Sequence, residues 1–364
     1  MLMKKLILID GNAIVHRAFH GLPPLTAPDG ELVNAVYGFF SMFLKILQDH
    51  KPDYIIVCFD RPAPTFRKQL YVGYQAKRPA MAEGLGPQFN FIRTTLRHAK
   101  VSIYELDGYE ADDLIGTLAT QAVEKDDDRK LKVEDSSLNI ENGSSIDLRS
   151  SNLKNPSSTI NHPSSNVEVI IFSGDRDLLQ LVNSQVSMLA PVTGITNMLL
   201  FDEAKVIDKY GLKPSQFVDY KALVGDNSDN YPGVNGIGPK TAATLLSKYE
   251  SFENLYHHIG ELPEKIGLKL ATDAEQAALA KKLATIVTDA PIHLDMDAAE
   301  VGNIDRESLK ASFGLFGFSS LVNRLGGGMQ DAKGTNETEE RKETQETKVK
   351  KLEKKKDDQQ LGLL

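Results

Sequence analysis

Acidic side chains recur in this chain at positions where buried strands are predicted to end. Three short apolar runs, rich in β-branched residues, each lead to an aspartate, and these are Asp10, Asp60 and Asp175. Such runs are typical of strands buried on both faces of a parallel sheet. Ligands of such sheets bind outside the carboxyl ends of the strands. The sequence therefore predicts that these three carboxylates meet at one edge of a sheet.

Further carboxylates extend this set. Glu110 and Asp113 share a face at the start of a predicted helix, with Asp112 beside them, although acids at a helix start equally serve as partners of the helix dipole. The remaining members are Asp177, Asp226 and Asp229. Since no Cys or His accompanies them, the set offers oxygen ligands, which suit Mg²⁺ or Mn²⁺ and not zinc. Two such ions would relieve the mutual repulsion, activate a water and stabilise the leaving oxygen of a phosphodiester.

A glycine-rich segment follows the last acidic cluster. Gly233, Gly236 and Gly238 allow tight turns with bare N–H groups at a helix start, where an anion is favoured, and Lys240 and Thr241 come next. An apolar stripe at helical spacing continues the segment. The pattern indicates a helix-hairpin-helix that contacts a DNA backbone without base readout, and the alternative is an ordinary corner of a helical core.

The elements that position these residues alternate along the chain. Helical spacing over residues 35–49 and 111–123 separates the three strands, which predicts an α/β domain. Residues 126–166 interrupt the pattern with aspartate, serine and asparagine, and they are predicted to form a disordered insertion. From residue 330 to residue 356 the chain is rich in Lys, Glu and Thr with almost no apolar residue, which predicts a solvated tether or a marginal charged helix. Residues 329–364 as a whole are predicted to form a disordered, charged tail.

Composition limits the class of protein. The 364 residues, 41% hydrophobic and 25% charged, suffice for two globular domains and exclude collagen-like, fully disordered and disulfide-stapled chains. No run reaches the ~18 apolar residues of a membrane span, so a cytoplasmic protein is expected. The single cysteine, Cys58, is predicted to be buried. The net charge of −8 argues against a nucleic-acid partner, but this argument weakens once the nine candidate carboxylates are assigned to metal binding.

Five motifs together resemble a known family. They cover residues 10–11, 57–67, 108–113, 173–177 and 223–233. In this order they resemble the 5′→3′ exonuclease domain of bacterial DNA polymerase I, in the flap endonuclease family, over residues 4–325 apart from the insertion. No polymerase follows, so a stand-alone nuclease is expected.

The resemblance implies a fold with two parts. An α/β, PIN-like parallel-sheet nuclease domain would cover residues 1–200, with a helical arch in residues 66–105. A helical helix-hairpin-helix domain would cover residues 201–328. The tail, residues 329–364, would follow.

The resemblance also implies ligand sets. One ion would be bound by Asp10, Asp60, Glu110, Asp112 and Asp113. The second would be bound by Asp175, Asp177 and Asp229, with Asp226 as a ligand or outer support. A K⁺ ion at the hairpin is a further implied cofactor.

The arch would guide a single strand. Arg67, Lys77 and Arg78 are the predicted catalytic side chains, and Tyr71 and Tyr74 are predicted to bind DNA, because cations meet phosphates and rings stack on bases. A solvated loop with incidental tyrosines is the alternative.

Two further positions concern the substrate phosphates. Arg17 matches a family position and is predicted to meet a phosphate, whereas the neighbouring histidines are expected to pack or to face solvent. Gln75 stands where the family usually has a lysine that helps to hold or polarise the scissile phosphate. An active enzyme is still expected, because a metal-activated water does not require that lysine.

Three functions compete at this point. The first is a structure-specific 5′ nuclease, acting on DNA with 5′ flaps, nicks or ends and on RNA–DNA hybrids, near the nucleoid and away from membranes. The second is a PIN-like ribonuclease such as a toxin, which the hairpin and the chain length disfavour. The third is a non-catalytic DNA-binding module, which the complete carboxylate set disfavours.

The chain ends in a short apolar motif. It resembles the bacterial sliding-clamp-binding motif and would act through Gln360, Leu361, Leu363 and Leu364. An incidental apolar tail is the alternative.

Overall fold

A six-stranded sheet forms the centre of the computed structural model, which describes residues 3–124, 166–195 and 197–326. The strands are β1 (Lys4–Asp10), β2 (Tyr54–Cys58), β3 (Ser102–Tyr104), β4 (Val167–Phe172), β5 (Val186–Thr193) and β6 (Asn197–Phe201). Their order across the sheet is β3-β2-β1-β4-β5-β6. The first five are parallel, and β6 pairs with β5 in the antiparallel sense.

Helices precede and follow these strands. In the first half they are α1 (Gly11–Gly21), α2 (Asn34–His50), α3 (Phe66–Leu70), α4 (Leu85–His98) and α5 (Ala111–Val123). In the second half they are α6 (Glu203–Tyr210), α7 (Phe217–Val224), α8 (Pro239–Tyr249), α9 (Phe252–His257), α10 (Glu264–Thr272), α11 (Ala274–Ala284), α12 (Arg306–Leu315) and α13 (Ser319–Gly326). A two-stranded hairpin, β7 (Gly225–Asp226) and β8 (Tyr231–Pro232), connects α7 to α8.

The central part of the sheet is buried, which explains the apolar runs in β1, β2 and β4. Residues 6–9 of β1 are all buried, and Leu8 lies opposite Ile56 of β2 and Ile171 of β4. Leu6 and Leu8 belong to a core cluster with α5. Because β1 is central, Asp10 at its end lies between the ends of β2 and β4.

The same core continues from the sheet into the C-terminal helices. The cluster that holds Leu114 of α5 also holds Leu223 of α7, Leu246 of α8 and Leu255 of α9. Residues 1–322 form one compact unit, and residues 323–364 form a second, of which the structure describes residues 323–326. The domain boundary expected after residue 200 stays a prediction.

Most predicted elements are confirmed. The strands expected at residues 6–9, 54–59 and 167–172 and the helices expected at residues 35–49 and 111–123 are present with ends shifted by two residues at most, and Cys58 is buried. The predicted insertion, apart from Asn166, and the predicted tail from residue 329, including the clamp motif, lie outside the described residues. Within the described ranges, no helix combines the length and apolar character that a membrane crossing requires.

Candidate functional site

Four carboxylates line a cavity of about 250 Å³ at the carboxyl ends of β1 and β2, together with Asp175. Asp10 accepts hydrogen bonds from the Ala13 amide (2.9 Å) and the Ser173 hydroxyl (2.6 Å). Asp60 accepts from the Ala111 amide at 2.7 Å, which ties the end of β2 to the start of α5. These four carboxylates, the first acidic group, are Asp10, Asp60, Glu110 and Asp112. The predicted convergence of strand-end acids is therefore present.

A second acidic group lies beside the first. Asp177 lies in the first turn of a short 3-10 helix (Arg176–Leu181) after β4. Asp226 ends β7, and Asp229 lies in the turn between β7 and β8. Carboxylate oxygens of these three residues lie within 4.8 Å of one another. The fold thus brings together carboxylates from two motifs that are far apart in the sequence.

The electrostatics of both groups favour a bound cation. Burial, opposed by hydrogen bonds and reinforced by neighbouring carboxylates, raises the pKa of Asp10 to about 7, and burial together with Asp175 raises the pKa of Asp177 to about 7. Burial likewise raises the pKa of Asp112 well above its ordinary value. The buried Tyr231 hydroxyl, close to Asp177 and Asp226, has no hydrogen-bond partner. An oxygen-only set of crowded acids beside an unpartnered hydroxyl fits hard divalent cations.

Lys221, which the sequence reasoning did not single out, lies within the second group. Its ammonium, on a side chain 16% exposed, donates to both Asp177 and Asp226. The available signal was its position on α7, five residues before Asp226. Lys221 therefore supplies positive charge where the prediction placed a metal ion.

Asp113 is engaged by the fold, and its role as a metal ligand stays a prediction. It is fully buried, and both of its oxygens accept from Arg67 at 2.7 Å. The backbone amides of Glu110 and Val287 donate to the same carboxylate. Four hydrogen bonds from the chain itself thus satisfy this carboxylate.

Arg67 is engaged in the same way, and its catalytic role stays a prediction. Besides Asp113, its guanidinium donates to the carbonyls of Leu283 and Thr285, and it is buried. The pair joins α3, α5 and the end of α11, so it holds the arch base to the rest of the protein. Arg67 also forms a longer ion pair with Glu110 (3.3 Å), so it contacts the first acidic group as well.

Tyr74 is also packed into the fold, and its role in binding DNA stays a prediction. The side chain is 3% exposed, and its hydroxyl donates to Glu110 at 3.1 Å and lies 3.4 Å from Asp229. Its ring stacks on Tyr231. Tyr71 is partly buried against the same cluster, which includes Leu279, so little of its ring is available to DNA.

The remaining arch residues face the cavity or solvent. Arg78, 51% exposed, forms an ion pair with Asp229 at 2.7 Å, and Lys77 is exposed. Gln75 and Lys68 line the first cavity. Gln75 adopts a left-handed backbone conformation (φ 56°), and its backbone N–H donates to the Asp229 carbonyl at 2.8 Å. Gln75 therefore occupies the position next to the carboxylates that the resemblance assigns to a lysine.

A larger cleft of about 1020 Å³ extends from the second acidic group to the start of α8. Its wall includes Arg17, Arg176, Lys221 and Lys240. The Arg17 guanidinium donates to the carbonyls of Val192 (2.9 Å) and Gly194 (3.1 Å), so the fold uses part of its donor capacity. His16 and His20 stack on each other beside it, and both are exposed and line the cleft.

The predicted glycine-rich hairpin, residues 233–238, directly precedes α8, as the spacing of its glycines indicates. Gly236 has φ 72°, and Gly233 lies so close to the end of α7 that an added Cβ would meet the Gly225 nitrogen at 2.3 Å. Gly236, Gly238 and Lys240 are exposed, whereas Gly233 is buried and Thr241 half-buried. From this segment, Pro239, Lys240 and Ala243 line the cleft.

Two family models match the chain. They are the 5′-3′ exonuclease, N-terminal resolvase-like domain, over residues 5–136, and the 5′-3′ exonuclease, C-terminal SAM fold, over residues 212–307. The 5′-3′ exonuclease of Aquifex aeolicus is 33% identical over 323 residues, which cover 89% of this chain and 96% of that protein. The chain belongs to the 5′-3′ exonuclease family. The predicted family is thereby confirmed.

Longer relatives contain the same region. DNA polymerase I of Bacillus subtilis is 39% identical over 324 residues, 89% of this chain and 32% of the polymerase. The chain thus spans about a third of the length of these polymerases.

Solved structures share the fold at low sequence identity. The T5 D15 protein co-crystallised with metal ions aligns with a TM-score of 0.54 at 16% identity, covering 88% of this chain and 97% of that one. The catalytic core of Rad2 in complex with DNA substrate aligns with a TM-score of 0.50 at 13% identity, covering 89% and 93%. The predicted class, an α/β nuclease fold with a helical C-terminal part, is confirmed.

Proposed function

We propose that this chain is a structure-specific 5′-3′ exonuclease and flap endonuclease that hydrolyses DNA and RNA-primer phosphodiesters in replication and repair. The observation that carries the proposal is the pair of carboxylate groups. The first group lines its own cavity, and Asp175, Asp177 and Asp226 line a cleft that also has basic side chains in its wall. Membership of the family supports the 5′-3′ polarity.

Two Mg²⁺ or Mn²⁺ ions complete the proposed site. The first would be held by Asp10, Asp60, Glu110 and Asp112, and the second by Asp175, Asp177, Asp226 and Asp229. When bound, such a pair of ions supplies an activated water and stabilises the leaving oxygen. The raised pKa values of Asp10 and Asp177 support this assignment, because crowded acids of this kind gain most from a cation.

The side chains around the first cavity would orient the scissile phosphate. Arg78 and Lys77 are the proposed catalytic contacts, since both are accessible and Arg78 already borders Asp229. Gln75 offers a neutral amide that can donate to a phosphate oxygen. The positive charge of the arch therefore comes from residues other than the one at position 75.

The cleft and hairpin would hold the duplex. Lys240 and the exposed amides of Gly236 and Gly238 lie at the start of α8, where a phosphate is favoured, and Thr241 follows. Arg176 and the free donors of Arg17 extend the basic wall toward the metal groups. Such contacts grip DNA of any sequence, and substrate choice then depends on the position of the 5′ end.

One assay tests the proposal against its alternatives. The protein is incubated with Mg²⁺ and, separately, with 5′-flap DNA, blunt duplex DNA and single-stranded RNA, with Asp177→Asn as the matched variant. We expect divalent-dependent cleavage of the flap, a loss of cleavage by at least about 100-fold in the variant, and retained flap binding. Equal cleavage of single-stranded RNA would indicate the ribonuclease, and flap binding without cleavage would indicate the non-catalytic module.

A partner and a location complete the proposal. The motif at residues 360–364 would bind a sliding clamp and keep the nuclease near the nucleoid, with the tail raising its local concentration. Loss of the usual terminal phenylalanine suggests a contact of about micromolar affinity. Titrating a labelled peptide of residues 355–364 into the clamp tests this, and absence of saturation up to about millimolar peptide would exclude it.

A further inference from the structure

A lysine side chain from another helix contacts the glycine-rich hairpin before α8. The Lys269 ammonium, on α10, donates to the Gly236 carbonyl at 2.7 Å. Gly236 has φ 72°, and a Cβ added there would lie 2.4 Å from the ammonium nitrogen. The absence of a side chain at residue 236 is thus what admits the ammonium to this position.

Other side chains of the same region take up further hairpin groups. Gln276 donates through its amide to the Gly233 carbonyl. Asp273, between α10 and α11, accepts from the Asn235 amide at 2.7 Å. The hairpin is therefore held by α10 and α11 through a cation, an amide and a carboxylate that all belong to the chain.

These contacts leave fewer free carbonyl oxygens for the K⁺ ion that the resemblance implies at the hairpin. A K⁺ ion is bound by several oxygens that replace its hydration shell. Here the carbonyls of Gly233 and Gly236 already accept from nitrogen donors, and the donor at Gly236 carries a full positive charge. An ion at Gly236 would have to displace an ammonium that is attached to the protein.

We propose that the Lys269 ammonium is the resident cation of the hairpin and replaces K⁺, so that DNA binding by the hairpin is independent of K⁺. This inference rests on the proposed DNA binding. The ammonium fixes the turn and places a positive charge near Lys240 and the start of α8. Because the charge is covalently attached, its presence does not vary with the salt that surrounds the protein.

The experiment compares two salts at equal ionic strength. Binding of labelled 5′-flap DNA to the full chain is measured in EDTA, in KCl and in tetramethylammonium chloride, whose cation is too large to enter the hairpin. Wild type is expected to bind equally within about twofold in both salts. Lys269→Met is expected to bind about tenfold more weakly in tetramethylammonium and to recover part of the loss in K⁺.

Lys265→Met serves as the matched control. Lys265 is exposed and lies one turn earlier on α10, so the substitution removes the same charge from the same helix. It is expected to change affinity by at most about threefold, equally in both salts. A wild type that binds at least about fivefold more tightly in K⁺ would overturn the inference.

A measurement without DNA separates this inference from the proposed function. The melting temperature of the wild type is expected to be the same in both salts, whereas that of Lys269→Met is expected to be lower in tetramethylammonium and to rise in K⁺. If Lys269→Met melts like the wild type in both salts, the ammonium does not hold the hairpin and the inference fails. If the melting results hold but no flap binding occurs, the proposed function fails instead.

Discussion

At the scale of single residues, several charged side chains near the site neutralise one another. Arg67 pairs with Asp113, Lys221 with Asp177 and Asp226, and Arg78 with Asp229. The three cations differ in accessibility, because Arg67 is buried, Lys221 mostly buried and Arg78 half-exposed. They are therefore expected to differ in what their removal affects.

Removing Arg67 is expected to affect folding. Arg67→Met leaves the Asp113 carboxylate buried without its partner and should lower the free energy of unfolding by about 3–5 kcal/mol. Urea unfolding measures the change. Arg61→Met is the control, since the Arg61–Asp107 pair is exposed and its loss should cost less than about 1 kcal/mol. Equal effects of the two substitutions would contradict the assigned role.

Removing Lys221 is expected to affect metal binding. Lys221→Met takes away the ammonium that competes with a divalent ion for Asp177 and Asp226, so Mn²⁺ should bind the DNA-free protein roughly tenfold more tightly, by about 1.4 kcal/mol. Isothermal titration calorimetry measures this affinity. Lys240→Met, which removes a charge from the wall of the same cleft, should leave it unchanged. Weaker Mn²⁺ binding to Lys221→Met would show that the ammonium supports the ion.

Sequence reasoning was accurate where a residue's position follows from its own element. Asp10, Asp60 and Asp175 follow buried strands, so their convergence could be predicted from hydrophobic pattern alone. The Arg67–Asp113 pair could not, because its members lie 46 residues apart and each type also suits the site. Tyr74 was assigned to DNA for the same reason, since a basic and aromatic pattern does not reveal which rings are buried.

At the scale of elements, a tight backbone contact connects the second acidic group to the glycine-rich hairpin before α8. The end of α7 and the start of the hairpin approach so closely that Gly225 and Gly233 have no space for side chains. Between them lies the β7–β8 turn with Asp226 and Asp229. A change in the hairpin is therefore expected to reach the second acidic group.

Substitution at Gly233 tests this connection. An added Cβ would lie 2.3 Å from the Gly225 nitrogen and 2.5 Å from the Leu223 carbonyl oxygen. Gly233→Ala should lower the free energy of unfolding by about 1–3 kcal/mol and weaken Mn²⁺ binding. Gly238→Ala, in the same hairpin with nothing near its Cβ position, is the control for both measurements. Unchanged Mn²⁺ affinity in a destabilised Gly233→Ala would show that the two sites are independent.

At the scale of the whole molecule, one continuous core serves both the sheet and the C-terminal helices. Leu114 under the sheet and Leu255 of α9 belong to the same cluster. The composition of residues 126–166, with few apolar side chains, predicts that this segment contributes little to that core.

Deletion of the segment tests that prediction. A protein in which Lys125 is joined to Val167 should keep its melting temperature within about 3 °C and its flap cleavage within about twofold. Thermal unfolding and the flap assay measure the two quantities. A fall of about 10 °C or more would mean that the segment packs against the folded protein.

Cys58 gives this core a chemical reporter. The only thiol of the chain lies on β2 opposite Asp10, with no exposed surface, and burial raises the pKa of that thiol. A thiol reagent can therefore react only while the strand is separated from its neighbours, and the modification rate reports the free energy of that opening under native conditions. Ions or DNA that bind only the closed protein will slow the reaction in proportion to their occupancy. The affinity of the site for each of them can thus be read from an unlabelled, unaltered chain.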